Sequence, residues 1–369
     1  NKLVQFEDIK ALGSGAQGRI SLVRNIQNQN LYVLKQIQIN SEKIEQDAKR
    51  ECQYYQNLDH PCIVKYFDEF MCNEQFCIIM EYANKGDLQK FIDEKRSNNE
   101  YIDEELIWQL FIQILHAIAY VHQNKIIHRD LKSANIFLSQ TEGIINVKLG
   151  DFGIAKQLND TKQLAQTLTG TIAYCAPEII NGARYNNQVD MWALGCVLHE
   201  MCCLQNPFYH QVPMRLRYNI QSGKKQPIPK KYSQDLQNII DSLLNNNSTK
   251  RLTAKQVLEL PIIQHKMKQS CLSFLQQKEI QETEIFEDLN QSEELPLHLQ
   301  SLLSSLNCDL RPSISIIQSA RNFIKNQFDS KILKKYYQTV NLCMTRNQDA
   351  FGAIEVFGKN FNYFYALLQ

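Results

Sequence analysis

The spacing of apolar residues changes period part-way along the chain. Residues 31–39, Leu-Tyr-Val-Leu-Lys-Gln-Ile-Gln-Ile, alternate, with Val33, Lys35, Ile37 and Ile39 on one face, and this predicts a strand. A helix is predicted from about residue 41 to residue 58. Its acids Glu42, Glu45 and Asp47 lie toward the N-terminal end, where the helix dipole favours them. Residues 77–82 form another apolar, strand-like run. From Gly86 onward the pattern turns mainly helical, and residues 106–122 and 189–201 repeat apolar positions at helical spacing. The opening part of the chain therefore reads as strands around one helix, and the next part as helices.

A last helical stretch at 255–260 is followed by Pro261, and polar character rises from about Gln264. These features predict a domain boundary near 262–270. Beyond it, segments near 297–306, 314–328, 332–344 and 350–368 carry apolar residues three and four apart. Phe351, Ile354, Phe357, Phe361, Phe364 and Leu368 form the clearest stripe, and Pro296 and Pro312 punctuate the pattern. The expectation is a small α-helical extension, either an accessory bundle or a regulatory or dimerising module. No internal repeat is visible.

Composition narrows the function classes. Forty basic residues nearly cancel 39 acidic ones, so charge does not point to a nucleic-acid or acidic-membrane binder. No apolar run of about 18 residues predicts a membrane span. The 11 cysteines are scattered and include no CxxC pair. That argues against zinc or a disulfide framework and for reduced thiols in a cytosolic protein. The chain opens on Asn1 without a signal-peptide pattern, which reads as a trimmed start.

Candidate chemistry begins with Leu12-Gly-Ser-Gly-Ala-Gln-Gly-Arg-Ile20, in which Gly13, Gly15 and Gly18 fit G-x-G-x-x-G. Glycines serve where a backbone turns tightly and approaches phosphate oxygens without a Cβ in the way. A dinucleotide-binding turn expects a helix directly after the glycines. Here the strand-like residues 19–23 follow, which favours a hairpin folded over a nucleotide. Lys35 lies on the apolar face of its strand. Ile44, Ala48, Glu51, Tyr55 and Leu58 share one face of the following helix, with Glu51 its lone carboxylate. Charges on two core-facing surfaces are costly unless they meet, so a Lys35–Glu51 ion pair is predicted. The alternative is that each charge snorkels separately at a core edge.

His128-Arg-Asp-Leu-Lys-Ser-Ala-Asn135 matches H-R-D-L-x-x-x-N, and Asp151-Phe-Gly153 and Ala176-Pro-Glu178 follow in order. With these motifs the sequence resembles the eukaryotic protein kinases. The resemblance implies an α+β bilobal kinase fold over residues 4–265. Its parts are a small β-rich N-lobe with one helix at about 4–80, a hinge at 81–85 and a large, mainly helical C-lobe at 86–265, with residues 266–369 as the helical extension. It also implies Mg-ATP as cofactor and proteins with Ser or Thr acceptors as partners. The general template for phosphoryl transfer then assigns roles. Lys35, oriented by Glu51, holds the α- and β-phosphates. Asp130 accepts the substrate hydroxyl proton, and Lys132 reaches the γ-phosphate. Asn135 and Asp151 supply the hard oxygens that Mg²⁺ prefers. Backbone N–H groups around Leu12, Gly13, Ser14, Gly15, Ala16 and Gly18 cover the phosphates. For adenine, Met80 is the gatekeeper, Glu81 and Ala83 offer hinge backbone groups, and Ile20, Val33 and Phe137 pack the faces of the base. Many kinases carry Ala in place of Val33, a difference that narrows the pocket.

Lys132, two residues after Asp130, follows the Ser/Thr kinase pattern, and Thr171 is expected to hydrogen-bond near Asp130 and Lys132. The sequence is similar in particular to the NIMA-related (Nek) kinases, through Met80-Glu-Tyr-Ala with Gly86-Asp-Leu88, residues 128–138, 149–156 and 185–198. That resemblance implies cell-cycle, microtubule or ciliary control and a cytoplasmic, cytoskeletal, centrosomal or ciliary location. The usual Nek ending Gly-Thr-Pro-Tyr-Tyr is replaced here by Gly170-Thr-Ile-Ala-Tyr174. By the same resemblance, Asp190 braces the catalytic loop and Glu178 pairs with Arg251. Arg129 receives a phosphate placed on Thr167 or Thr169, a group that adds about −1.5 to −2 charge. Ile154, just after the DFG motif, favours Thr over Ser acceptors. Two other classes stay open: a pseudokinase that binds partners without turnover, and a dinucleotide oxidoreductase, which rests on the three glycines alone.

Overall fold

A computed structural model describes residues 2–15, 18–56, 58–141, 144–151, 171–267 and 269. The chain divides into two compact units, Asn1–Ile263 and Gln264–Gln369. The expected helical extension lies outside the described residues, save for its first few. Ala16, Phe152, Ile154, Thr167, Thr169 and Gly170 also lie outside them, as do the side chains of Ser14, Glu51 and Thr171.

The first unit opens with β1 (Phe6–Gly15), β2 (Gly18–Asn25) and β3 (Leu31–Gln38). Helix α1 (Glu42–Gln56), β4 (Tyr66–Cys72) and β5 (Gln75–Glu81) follow. The strands form one antiparallel sheet in the order β1-β2-β3-β5-β4. The alternation predicted for β3 decides which residues face which core. Leu34 joins Val23, Cys72, Cys77 and Ile79 on one face, with Phe6, Tyr32 and Phe70 packed at its border. Ile37 packs on the other face with Ala48 and Cys52 of α1 and with Phe76 and Ile78. Ile44 was expected on the buried stripe of α1 but is 37% exposed. Among the helix's described side chains, Ala48 and Cys52 are the buried ones that pack on the sheet.

A larger helical region follows. Helices α2 (Leu88–Ser97) and α3 (Glu104–Gln123) begin at aspartates that accept hydrogen bonds from first-turn N–H groups. Asp87 takes Lys90 N at 2.8 Å and Asp103 takes Glu105 N at 2.9 Å. The helical pattern then gives way to a two-stranded ribbon that periodicity had not separated, β6 (Ile136–Thr141) and β7 (Ile144–Leu149). After it come the short α4 (Pro177–Ile180), α5 (Gln188–Cys203), α6 (Pro213–Ser222), α7 (Gln234–Leu243) and α8 (Ala254–Leu258). Helix α5 is buried on every side, from Gln188 to Cys202, so it is the spine of this region. Trp192 on α5 stacks on Phe208 with centroids 5.1 Å apart and planes 6° from parallel. Among the described residues no helix is long and apolar enough to cross a membrane.

Candidate active site

The glycine-rich segment is an antiparallel hairpin. Gly13 pairs with Ile20, Ser14 with Arg19 and Gly15 with Gly18. A strand, not a helix, leaves the glycines, so the dinucleotide-binding turn is excluded. Gly18 has φ +125°, and a Cβ there would stand 1.8 Å from the Gln36 carbonyl oxygen. Only glycine can occupy that position. A Cβ on Gly13 would meet nothing within 4 Å, so this glycine borders open space.

Beneath the hairpin, Lys35 is paired in register with Ile20 on one side and Ile78 on the other. It is 5% exposed, and its Nζ lies 3.4 Å from Asp151 Oδ1. Glu51 sits on α1 as the sequence suggests, but the expected Lys35–Glu51 contact falls outside the described side chains. Val33 stands opposite Met80 in the β3–β5 register. Val33, Met80, Ile20, Ala83 and Phe137 are all partly exposed. Leu12 is 37% exposed at the hairpin. A Cβ on Gly150 would press to 2.8 Å on the Phe137 ring, so glycine lets Phe137 lie close to the chain just before Asp151.

The ribbon explains how Asn135 and Asp151 meet. Ile136 is in register with Leu149, so the residues just outside the ribbon, Asn135 and Gly150, become neighbours. Gly150 N donates to Asn135 O at 3.0 Å. The Asn135 amide donates to Asp130 O at 2.8 Å, to Asp130 Oδ2 at 3.0 Å and to Asp151 O at 3.4 Å. Lys132 Nζ meets the same Asp130 Oδ2 at 3.0 Å. With its NH₂ turned to Asp130, Asn135 has no hydrogen-bond partner for its amide oxygen among the described residues. That oxygen and the Asp151 carboxylate form a hard-oxygen donor set of the kind Mg²⁺ takes, and Lys35 stands beside it with positive charge. The residues present therefore fit a magnesium–nucleotide complex.

The loop holding Asp130 is fixed from below by Asp190 in the first turn of α5. Asp190 accepts His128 N at 2.8 Å and Arg129 N at 2.9 Å, and it meets the His122 ring at 2.9 Å. Burial pushes the Asp190 carboxyl up, but the His122 bond and charge, with His128 and Arg129 N, hold it below the ordinary value. Burial lowers the His128 pKa, against the pull of Asp190, Asp130 and the Gly150 carbonyl. The Gly150 carbonyl lies 3.2 Å from His128 Nε2. Arg129 takes a left-handed φ of 66°. Among the described residues its buried Nε has no hydrogen-bond partner.

Two further contacts escaped the sequence reading. Lys148 Nζ meets Glu81 Oε2 at 2.9 Å, a largely enclosed ion pair between β7 and the end of β5. Its signal was a lone charge in the apolar run Ile-Ile-Asn-Val-Lys148-Leu, the pattern that had marked Lys35. In the second, Ser133 Oγ donates to Gln89 Oε1 at 2.6 Å and lies 2.9 Å from Tyr174 Oη, which donates to Glu200 Oε2 at 2.6 Å. Glu200 is the buried carboxylate in the second half of α5, and desolvation raises its pKa. This chain ties the catalytic loop to the turn Thr171–Tyr174, where the sequence departs from the Nek ending. The expected Glu178–Arg251 pair is also present, at 2.7 Å.

The sequence matches the protein kinase domain family over residues 6–263. The chain belongs to the protein kinase family. Among its curated relatives are Nek kinases. It is 41% identical over 262 residues to a probable serine/threonine-protein kinase nek3 of Dictyostelium discoideum, covering 70% of this chain and 23% of that protein. It is 38% identical over 259 residues to the serine/threonine-protein kinase Nek5 of Mus musculus, covering 70% and 40%. A probable nek2 of Dictyostelium discoideum is 36% identical over 280 residues, covering 74% and 66%. The matched part of this kinase chain thus spans between about a quarter and two thirds of these three relatives. The comparisons bear out the Nek resemblance seen in the motifs.

Proposed function

We propose that this chain is an ATP-dependent serine/threonine kinase of the Nek type, transferring the γ-phosphate to hydroxyls of protein substrates. One observation carries the reading: three separate parts of the sequence, Lys35, the loop with Asp130, Lys132 and Asn135, and Asp151, converge through contacts of 2.8–3.4 Å. The same convergence weighs against a partner-binding pseudokinase. Phosphoryl transfer demands little covalent work from the protein and much positioning and charge stabilisation. Lys35 would grip the nucleotide's phosphates, and the glycine hairpin would cover them. Asn135 and Asp151 would hold Mg²⁺, which when bound neutralises phosphate charge. Asp130, oriented by Asn135 and Lys132, aims the acceptor hydroxyl and takes its proton, and Lys132 stands ready for the transferred group. Arg129, with its buried Nε, is the receiver for a phosphate on the activation segment, where Thr167 and Thr169 are the candidates. The Nek resemblance extends the proposal to cell-cycle, microtubule or ciliary control in the cytoplasm or at the cytoskeleton.

The test is transfer of γ-labelled phosphate to a generic Ser/Thr acceptor by wild type and by Asp130→Asn. The variant should lose roughly 10²- to 10⁴-fold, the usual range for a positioned general base. Equal labelling by the two proteins would overturn the proposal.

A further inference from the structure

Charge is balanced over the whole chain but not along it. Residues 201–234 contain six lysines and arginines and neither Asp nor Glu. The rest of the chain, at a total of +1, is therefore net acidic. This basic stretch forms the end of α5, the loop to α6, α6 itself and the loop that runs into α7. The second loop and α7 enclose a groove of about 520 Å³. Pro227 and Pro229 form apolar wall, and Lys225, Lys230, Gln234 and Gln237 contribute polar groups.

The loop is held in shape. Ile228 N donates to Gln237 Oε1 at 3.1 Å, and the Gln226 carbonyl accepts from the His199 ring at 2.8 Å. Lys231 lies over the rings of Tyr101 and Tyr232, 5.1 and 5.3 Å from their centroids. Asp241 is the sole acid among the groove's lining residues, and Lys225 meets it at 2.9 Å. Lys230 of the groove wall and Lys224, which precedes the lining residue Lys225 without itself lining the groove, are both exposed, and among the described residues neither has an ion-pair partner. Helix α6, which ends just before these lysines, exposes Met214 (74%) and Tyr218 (60%), four residues apart and so on one face.

We propose that this groove is a docking site for an acidic segment of a partner protein, separate from the catalytic cluster. Charge complementarity selects the partner. Two unanswered lysines and a stretch without acids attract carboxylates and repel basic sequences. The groove's form selects a polypeptide. A concave wall of proline and glutamine accepts side chains of an extended segment. Single-stranded nucleic acid asks for open aromatic faces, and the groove's Tyr232 is buried. The site serves the kinase reading by retaining a partner beside the enzyme, but its existence does not depend on turnover.

The test uses the full chain without nucleotide and a fluorescein-labelled Glu-rich peptide carrying one Phe, followed by anisotropy. The peptide should bind, lose affinity as salt is raised, and bind about tenfold more weakly to the double variant Lys224→Glu/Lys230→Glu. Lys224→Gln/Lys230→Gln should move affinity less and in the same direction, which covers the case in which charge reversal disturbs the loop. Asp130→Asn should bind like wild type, so a failure of docking and a failure of catalysis register separately. Unchanged affinity in both lysine variants overturns the proposal. So does preferential binding of phosphatidylserine vesicles or single-stranded DNA through the same two lysines.

Discussion

Two cation–carboxylate contacts in this kinase use similar groups to opposite ends. Arg251 meets Glu178 through two hydrogen bonds, 2.7 and 3.2 Å long. Its remaining donors reach the Gln188 and Asn245 carbonyls, and its guanidinium lies over Trp192 at 5.1 Å. Every part of that arginine is answered by protein, and the side chain is sealed from water. Lys35 and Asp151 stand 3.4 Å apart, with the aspartate side chain 36% exposed. The first contact is closed and complete. The second is long, open on one side and flanked by the uncommitted amide oxygen of Asn135. An ion pair meant for structure satisfies itself, whereas one meant for a ligand leaves room for it.

The comparison breaks most visibly at Arg251. Arg251→Met leaves the mostly enclosed Glu178 without its cation and strands the Gln188 and Asn245 carbonyls. Losing one partner of such a pair costs about 3–5 kcal/mol. The thermal midpoint should fall by roughly 10 °C, while label transfer per folded molecule stays near wild type at low temperature. A variant that melts like wild type would mean the pair is not the anchor its geometry suggests.

The two contacts were not equally legible in the sequence. Strand alternation in β3 assigned Lys35 to a core-facing surface, and apolar spacing located α3 and α5 within two residues at either end. Ordered motifs named the candidate catalytic residues. Motifs do not carry register, however. The meeting of Asn135 with Asp151 depends on the β6–β7 ribbon, whose apolar run continued a helical region without a clear change of period. The Lys148–Glu81 pair was hidden for a related reason: each charge was visible, but strand pairing and burial had to be known before either needed the other. Tyr174 and Glu200 lie 26 residues apart and touch only because the turn after the activation segment packs on α5.

A weaker lever acts on two half-buried histidines, His60 and His116. Burial lowers His116 from 6.5 to about 4. Burial, with the charges of His116 and Lys148, lowers His60 to about 3. Between those values and about pH 6.5 the unfolded chain binds protons that the folded chain refuses. Stability must therefore fall as pH drops through that window. Asp190 adds to the loss at the acid end, because its depressed carboxyl must finally protonate. His116→Gln removes one such proton, so the slope of stability against pH near pH 5 should become shallower by about 1.4 kcal/mol per pH unit. Urea midpoints of the two proteins across the acid range check this. Parallel slopes would show that His116 is protonated in the folded chain.

The smallest effect is the one that most sharpens the comparison. Asp151→Asn removes the charge facing Lys35 but keeps the side chain's size and one oxygen. A half-open pair contributes about 0–1 kcal/mol to stability, since water answers whatever the protein does not. The melting midpoint should therefore move by little, in contrast to the loss at Arg251. Label transfer should collapse all the same, because the missing carboxylate is half of the donor set proposed for Mg²⁺. A large drop in melting temperature would place Asp151 with Arg251 among the structural charges. An unchanged midpoint with lost transfer would mean that its charge is maintained for the ligand and not for the fold.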